Sequence, residues 1–350
     1  ITGSQVLTVF PNLGGGGLLT NATILSQIRA GTPADLAITY LINGLAGSVQ
    51  LVPNPNALVA DVLTNGAESN YHSAQLEFRR RFANGFYMQA NYTFAKALTD
   101  AAGVGQTRFD PLIDNAQQRL EYAVADFDTR HTFNFNAIYE LPFGKGKRWA
   151  NQGGILDYII GGWQMTGIVR WSSGAPITFT DPRGTLNRAG RSGRQTANSS
   201  LNHEQIAALI GIFRTPCGVY WINPSVTNIN QNALNAGQCG SLGLGNAANG
   251  FGSTPFSGQV FTNVAPGTTG ALPRNAWRGP TFFNIDASLF KNFRITERVR
   301  FQVRGEAFNL TNRANFFAGL FNGNINSTTF GRVTTTFGPR IFQFVGRVEF

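Results

Sequence analysis

The chain has 350 residues and a net charge of +10, yet only 13% of its residues are charged and 42% are hydrophobic. Soluble globular domains carry roughly 25% charged residues, and nucleic-acid-binding modules concentrate their basic residues on one face. The basic residues here are spread along the chain, so composition argues against both classes. The sequence also lacks a run of roughly 18 apolar residues, which leaves strands as the only way to cross a membrane.

Seven segments alternate apolar and polar residues with a period of two, the spacing that sends successive side chains to opposite faces of a sheet. In 299–307, for example, Phe301 and Val303 fall on one side, and Gln302 and Arg304 fall on the other. The predicted strands cover 69–82, 86–98, 127–141, 161–173, 281–291, 297–311 and 339–350, and a weaker one covers Gln5 to Phe10. Most of these segments have at least the roughly 9 to 11 residues that a tilted strand needs to cross a bilayer.

Trp163 and Trp171 supply a length check for one predicted strand. They are an even number of positions apart, so their indoles share a face. With about 3.3 Å per residue and a tilt near 40°, they stand roughly 20 Å apart along the membrane normal. This spacing suits one aromatic residue at each membrane interface. The alternative is a pair of core tryptophans in a soluble β-sandwich.

The connections between the predicted strands alternate between short and long. The short ones are Asn84-Gly85, which is typical of a type I′ hairpin, a turn beginning at Pro142-Phe143-Gly144, and about 292–296. The long ones cover about 99–126, 174–276 and 312–338. Outer-membrane barrels have short periplasmic turns and long extracellular loops. The pattern therefore predicts an all-β, transmembrane antiparallel β-barrel whose C-terminal residue, Phe350, lies at the periplasmic rim.

Several motifs in fixed order make the chain resemble the C-terminal barrel region of TonB-dependent receptors of the Oar-like family. They are SNYHSAQLEFRRRF at 69–82, NYTFAKAL at 91–98, DFDTRHTF at 126–133, YELPFGKGK at 139–147, GGWQMTGI at 161–168, SGAPI at 173–177, RGTLNRAGRSG at 183–193, GEAFNLTNR at 305–313 and RIFQFVGRVEF at 340–350. The resemblance implies that residues 1–350 form about eight C-terminal strands of a roughly 22-stranded barrel. It also implies that the plug domain and the TonB box belong to an N-terminal region outside this chain.

Polar residues on the inward side of the predicted strands are candidates for lining the lumen or contacting a ligand. They are Gln89, Asn91, Asn134, Asn136, Gln164, Arg170, Asp286, Arg300, Gln302, Arg304, Glu306 and Arg347. On the outward side, the final strand resembles the C-terminal signal read by the barrel assembly machinery, through Phe342, Phe344, Val348 and Phe350. Any amphipathic final strand would show the same alternation.

Two features stand out in the longest predicted loop. Arg183, Arg188, Arg191 and Arg194 lie within twelve residues, and their guanidinium groups would chelate lipopolysaccharide phosphates or another anionic ligand. A solvated loop explains them equally well. Cys217 and Cys239 are the only cysteines; they are too few for a four-ligand zinc site, and one disulfide is expected in an oxidising compartment.

The remaining candidate motifs predict no catalytic, cofactor or metal site. Gly144 to Lys147 lack phosphate-loop spacing, and the three histidines lack metal-ligand spacing. Asp126 and Asp128, close to Arg130 in sequence, favour a charged barrel rim or a salt bridge over acid–base chemistry.

The sequence thus predicts a protein that is not an enzyme and that resides in the Gram-negative cell outer membrane. Its expected role is to form wall, lumen lining and extracellular loops for energised passage of a bulky solute. The expected partners are membrane lipid and lipopolysaccharide, the TonB complex through the N-terminal segment, and the assembly machinery, with no nucleic acid and no cofactor. One alternative is a stand-alone structural or adhesin barrel without transport; a barrel of only eight strands has an interior filled by side chains. The other alternative is a soluble all-β binding module.

Overall fold

A computed structural model describes residues 21–30, 33–51, 54, 56, 65–101, 112–114, 116–181, 195–227, 259–265, 267–316, 321–327 and 329–350. Its helices and strands are, in chain order, α1 (Ala22–Ala30), α2 (Pro33–Ile42), β1 (Ser69–Ala83), β2 (Phe86–Thr99), β3 (Ala123–Val124), β4 (His131–Glu140), α3 (Ile155–Ile160), β5 (Trp163–Ser172), β6 (Pro176–Ile177), β7 (Asn198–Ser199), α4 (His203–Leu209), β8 (Ile210–Thr215), β9 (Gly218–Ile222), β10 (Phe261–Thr262), β11 (Trp277–Arg278), β12 (Phe282–Arg294), β13 (Arg300–Phe308), β14 (Arg332–Val333) and β15 (Ile341–Glu349). Short 3-10 helices cover Gln118–Glu121 and Pro224–Val226.

Seven long strands form one antiparallel sheet in the order β1-β2-β4-β5-β12-β13-β15, and the short β3 pairs with β2. Each long strand pairs with the long strands before and after it in the chain, so the sheet is an up-and-down meander. All seven strong predictions of strands are confirmed. The eighth, at Gln5 to Phe10, lies outside the described residues, so the strand count of the barrel stays a prediction.

Several predicted strand boundaries were too wide, whereas β12 extends past its predicted end at 291 to Arg294. Local hydrogen bonds explain two of these differences. The segment before β4 leaves the sheet because Asp128 turns back and accepts a hydrogen bond from the Ala97 backbone N–H, at 2.6 Å. β13 ends at Phe308 because Asn309 adopts a left-handed conformation with φ of 51°. The Asn309 N–H then binds the Asp286 carboxylate, at 2.9 Å.

Short and long connections alternate along the meander, which places all the short ones at one end of the sheet. Asn84 and Gly85 both have positive φ, 54° and 74°, and the flanking Ala83 and Phe86 pair directly, as a two-residue type I′ turn requires. The β12–β13 turn is also short. The β4–β5 connection is not the simple turn that Pro142-Phe143-Gly144 predicted: it runs over 141–162 and contains α3. We call this end the short-connection end.

The outer edges of β1 and β15 are unpaired among the described strands. Every residue of β1 is exposed, and so is every residue of β15 except Val345. The described sheet is therefore open at both edges.

The largest hydrophobic core lies within the long connections and not against a face of the sheet. It contains Ile177, Phe179, Ala197, Ile206, Ile222, Val226, Phe261, Leu272, Trp277, Ile325 and Phe330. Phe179 is fully buried, and its ring centroid lies 4.6 Å from that of Phe261 and 5.2 Å from that of Trp277. We call the described parts of 173–281 and 309–340 the loop unit. The sequence predicted only long loops here; the structure shows that they pack into a folded body.

Helices α1 and α2 pack on each other through a small separate core of Ile24, Tyr40 and Ala46. The sequence predicted no helices.

Candidate functional site: the two faces of the sheet

The register of the sheet divides its side chains into an apolar face and a polar face, because directly paired residues of neighbouring strands point to the same side. On β5, Met165 pairs with Leu289 of β12 and with Tyr139 of β4, and Val169 pairs with Ile285 and Phe135. The same cross-strand pairing extends from β1 to β15. It places further side chains on the apolar face, including Leu76, Phe78, Met88, Ala90, Ala137, Gly167, Ala287, Val303, Gly305, Ala307, Phe342 and Phe344.

Aromatic residues border the apolar face at both ends. At the long-connection end, Tyr92, Phe133, Trp171 and Phe283 lie side by side on four successive strands. At the short-connection end, Phe86 pairs with Tyr139 and Phe293 pairs with Phe301. On β12, Phe283 and Phe293 are ten positions apart, or roughly 25 Å along the membrane normal at a tilt near 40°. An apolar band of about that height between two aromatic rows is the pattern of an outer-membrane barrel.

Away from Lys291, where α3 packs against the sheet, the apolar face is not covered by the described part of the protein. Phe344 is 85% exposed, and Phe342, Val348, Met165 and Leu289 are also exposed. None of Trp163, Trp171, Phe301 and Phe344 belongs to a hydrophobic core formed by described residues. This contradicts the alternative in which Trp163 and Trp171 are core tryptophans of a soluble sandwich.

All twelve predicted lumen candidates lie together on the polar face. Gln89 pairs with Asn136, and Asn91 pairs with Asn134, which in turn pairs with Arg170. Cross-strand pairing also places the remaining candidates on this face. They are Gln164, Asp286, Arg300, Gln302, Arg304, Glu306 and Arg347. Their common side is thus shown, while their contact with water or a solute stays a prediction.

Charges on the polar face are mostly paired with neighbours on the same face. Arg170 lies 3.5 Å from Asp286, and Arg304 donates to Glu306 at 3.3 Å and to Gln302 at 3.1 Å. Further pairs join Arg347 to Glu349 and Lys147 to Glu140. The face therefore offers many hydrogen-bonding groups with little excess charge. A few apolar side chains, among them Ile138, Ile168 and Phe290, also lie on it, and alternation alone did not single them out.

The predicted assembly signal lies on the predicted side. Phe342, Phe344 and Val348 of β15 pair with Ala307, Gly305 and Phe301 of the apolar face, and Phe350 is almost fully exposed. Recognition of these residues by the assembly machinery stays a prediction.

Two predicted features of the longest loop fall partly or wholly outside the described residues. Arg183, Arg188, Arg191 and Arg194 all lie outside them, and so does Cys239. Cys217 is buried in the loop unit and is disulfide-bonded.

Buried ion pairs join the loop unit to the β2–β4 connection, and the sequence did not reveal them. Arg274 forms an ion pair with Glu121 and also binds its backbone carbonyl, at 3.1 Å. Asp126 lies 3.4 Å from Arg274, and Asp128 is paired with Arg278. The predicted salt bridge therefore exists, but its partners are these two arginines. Arg130, the neighbour in sequence, lies over the ring of Phe94 instead.

Lys291 is an unexpected charge on the apolar face, between Leu289 and Phe293 along β12. It is only 4% exposed. Its ammonium donates to the backbone carbonyl of Tyr158 in α3, at 2.5 Å, and lies 4.9 Å from the centroid of the Phe293 ring. Because α3 and nearby aromatic rings cover it, the lysine does not interrupt the exposed apolar surface.

Over the described ranges, no helix has both the length and the apolar character to span a bilayer. Within the same ranges, no group of three or more His, Cys, Asp or Glu side chains is arranged to hold a metal ion.

No curated protein matches the chain. The family model described as an outer membrane beta barrel domain matches residues 20–343, almost the whole chain. The match agrees with the two-faced antiparallel sheet, its aromatic rows and its alternating connections. Members of this family reside in the outer membrane and are typically not enzymes. The chain belongs to the outer membrane beta barrel domain family.

Proposed function

We propose that the chain forms part of the wall, lumen lining and outer loops of a TonB-dependent, Oar-like receptor that moves a bulky solute across the outer membrane. The observation that carries this proposal is the division of seven long strands into one apolar and one polar face, on a sheet whose two edges are unpaired among the described strands. Unpaired backbone edges are not tolerated in lipid. The open sheet therefore supports a larger barrel, in which β1 and β15 pair with further strands. Barrels of roughly 22 strands hold a plug in their lumen.

The proposal includes an orientation and a set of partners. The short-connection end, with Phe350, faces the periplasm, and the loop unit faces outward. The barrel assembly machinery reads Phe342, Phe344, Val348 and Phe350 during insertion. The TonB complex acts through an N-terminal segment of the whole protein. Lipopolysaccharide surrounds the outer end, where Arg183, Arg188, Arg191 and Arg194 bind its phosphates or an anionic solute.

One alternative is a structural or adhesin barrel without transport. The loop unit favours it, because a body with its own hydrophobic core presents a preformed surface for binding.

Cysteine labelling of the whole receptor in living cells separates the two functions. Asn136→Cys and Gln302→Cys place thiols on the polar face, and Val303→Cys places a matched control on the apolar face. A membrane-impermeant thiol reagent is applied with and without a protonophore. A TonB-dependent plug moves when the inner membrane is energised, so labelling of Asn136→Cys or Gln302→Cys should depend on the protonophore.

Two results would count against transport or against the barrel itself. Equal labelling in energised and de-energised cells supports the structural or adhesin barrel. Strong labelling of Val303→Cys would remove the assignment of the apolar face to lipid.

A further inference from the structure

Helix α3 presents an apolar stripe away from the protein. Ile155 is 83% exposed, Tyr158 is 53% exposed and Ile159 is 59% exposed. These residues have the i, i+3, i+4 spacing that places side chains on one helix face. Their exposure requires an explanation, because three neighbouring large apolar side chains in water are unfavourable.

The helix lies on the lipid side of the sheet, at the short-connection end. Trp163 donates its indole N–H to the carbonyl of Ile159, at 3.0 Å, and Lys291 donates to the carbonyl of Tyr158. The rings of Tyr158 and Phe293 are 5.4 Å apart. Trp163, Lys291 and Phe293 all belong to the apolar face. The stripe of α3 is thus continuous with the surface assigned to lipid.

Tight contacts hold α3 in this position. The Asp157 carboxylate accepts a hydrogen bond from the Lys145 backbone N–H, at 2.6 Å. Gly144 and Gly161 approach so closely that a Cβ on Gly144 would stand 2.7 Å from the Gly161 Cα. Close packing between glycine backbones leaves no room for a side chain. The orientation of the stripe therefore follows from the fold of the connection.

The same connection carries positive charge and exposed aromatic rings. Lys145 and Arg148 are exposed, and Arg148 lies over the ring of Trp149, 5.4 Å from its centroid. Trp149 and Phe143 are themselves exposed, and their ring centroids lie 5.5 Å apart. Within 141–162 the charged residues are Lys145, Lys147, Arg148 and Asp157, so basic groups predominate. Apolar side chains beside basic ones are typical of segments that bind anionic membrane interfaces.

We propose that the connection 141–162 is an interfacial membrane anchor. Ile155, Tyr158 and Ile159 insert among the acyl chains of the phospholipid leaflet that faces the periplasm, and Lys145 and Arg148 contact its anionic headgroups. This inference rests on the proposed orientation of the barrel. Continuity with the apolar face selects lipid over a protein partner, because a partner bound to α3 would have to displace lipid from the adjacent strands. The anchor fixes the depth of the barrel in the membrane.

Lipid-dependent fluorescence quenching tests the anchor in the whole purified receptor, reconstituted in phospholipid vesicles. A polarity-sensitive fluorophore is attached to cysteines at Ile155→Cys and Ile159→Cys. Met165→Cys, on the apolar face of β5 and outside the proposed assembly signal, reports on the sheet face, and Gln152→Cys, exposed in the same connection, reports on water. The wild-type receptor treated with the same reagent is the blank. Quenchers are a lipid spin-labelled near its headgroup and iodide in the aqueous phase.

We expect labels at Ile155 and Ile159 to lose most of their fluorescence to the shallow lipid quencher and to be protected from iodide, unlike the label at Gln152. If the labels at Ile155 and Ile159 behave like the label at Gln152 while the label at Met165 is quenched by lipid, the proposed anchor is wrong but the proposed barrel is not. If the label at Met165 also fails to contact lipid, both the assignment of the apolar face and the anchor are wrong. Protection in native membranes that is lost in pure lipid vesicles would reveal a protein partner and overturn the proposal.

The headgroup contact is tested by charge removal. The double variant Lys145→Gln/Arg148→Gln, carrying the Ile159→Cys label, should show less lipid quenching in vesicles with anionic phospholipid, down to the level seen in neutral vesicles. Arg298→Gln is the matched control, because Arg298 is exposed in the β12–β13 turn at the same end of the sheet. An equal loss in the control, or no loss in the double variant, would contradict a specific role of Lys145 and Arg148.

Discussion

Replacing Leu289 with arginine tests the assignment of the apolar face to the hydrocarbon core of the membrane. Leu289 is 41% exposed on β12, four positions from Phe293 and six from Phe283. At a tilt near 40° it stands roughly 10 Å from one aromatic row and 15 Å from the other. Leu289 is therefore close to the middle of the apolar band.

The expected cost follows from this depth. An arginine on the lipid face of a barrel costs about 2–4 kcal/mol at the bilayer midplane and about 0–1 kcal/mol near the interfaces. Leu289→Arg should therefore lower the free energy of unfolding by about 2–4 kcal/mol, or roughly 30-fold to 700-fold in the folding equilibrium, since 1.4 kcal/mol is tenfold. Leu289→Ser measures the part of the loss that comes from removing the leucine side chain.

Ile168→Arg is the matched control on the polar face. Ile168 is 44% exposed, and its cross-strand neighbours are Asp286 and Asn136, so a guanidinium there meets a carboxylate and an amide. We expect a change within about 1 kcal/mol, as for substitutions that leave buried contacts intact. Reversible urea unfolding of the whole receptor in phospholipid vesicles gives both values. Equal costs for Leu289→Arg and Ile168→Arg, or a larger cost for Ile168→Arg, would refute the assignment of the two faces.

Three further predictions concern the loop unit and α3. Arg274→Met should destabilise the loop unit by about 3–5 kcal/mol, because it removes the Arg274 guanidinium from its ion pair with the buried Glu121 carboxylate. Hydrogen exchange should reveal the loss, and adding Glu121→Gln should recover part of it. Gly161→Ala should lower the free energy of unfolding by about 1–3 kcal/mol through overpacking, because the new Cβ would stand 2.7 Å from the backbone oxygen of Asp157. Proteolysis within 141–162 should be faster. In the control Gly153→Ala the new Cβ meets nothing closer than 3.9 Å, so this variant should behave as wild type. Burial raises the pKa of Tyr220 above its usual 10.0, although Arg332 opposes the shift. The neutral Tyr220 side chain should therefore stabilise the loop unit fully below about pH 10, and this stabilisation should be lost as the pH rises through the pKa of the folded state. Tyr220→Phe should not show this loss, and near-ultraviolet absorbance during unfolding measures it.

The alternation of side chains predicted the strands and both faces because it is a local property of extended backbone. Phe301 and Gln302 must point to opposite sides of any strand that contains them. Residues paired with them on neighbouring strands point to the same sides, so both faces extend over the whole sheet. Asn84-Gly85 predicted its turn for a similar reason, since few other dipeptides adopt positive φ at both positions.

Features that depend on distant contacts could not be read from the sequence. Phe179 and Phe330 belong to segments with no regular period, and they become a core only because the fold brings two connections together. Lys291 breaks the apolar pattern of β12, and its partner is a helix carbonyl more than a hundred residues earlier in the chain. Asp128 suggested a salt bridge to the adjacent Arg130, but Arg278, 150 residues away, reaches it instead.

The separation between Arg274 and Glu121, 153 residues, has a consequence for the order of assembly. Each strand of the meander pairs with its predecessor, so the sheet can grow one hairpin at a time as the chain is delivered. The packed connections cannot close in the same manner, since their interior needs Ile177 and Phe330 together. Closing such long loops has a higher entropic cost than closing hairpins. Closure of the loop unit is therefore a late event, completed only after nearly all of the sheet has formed.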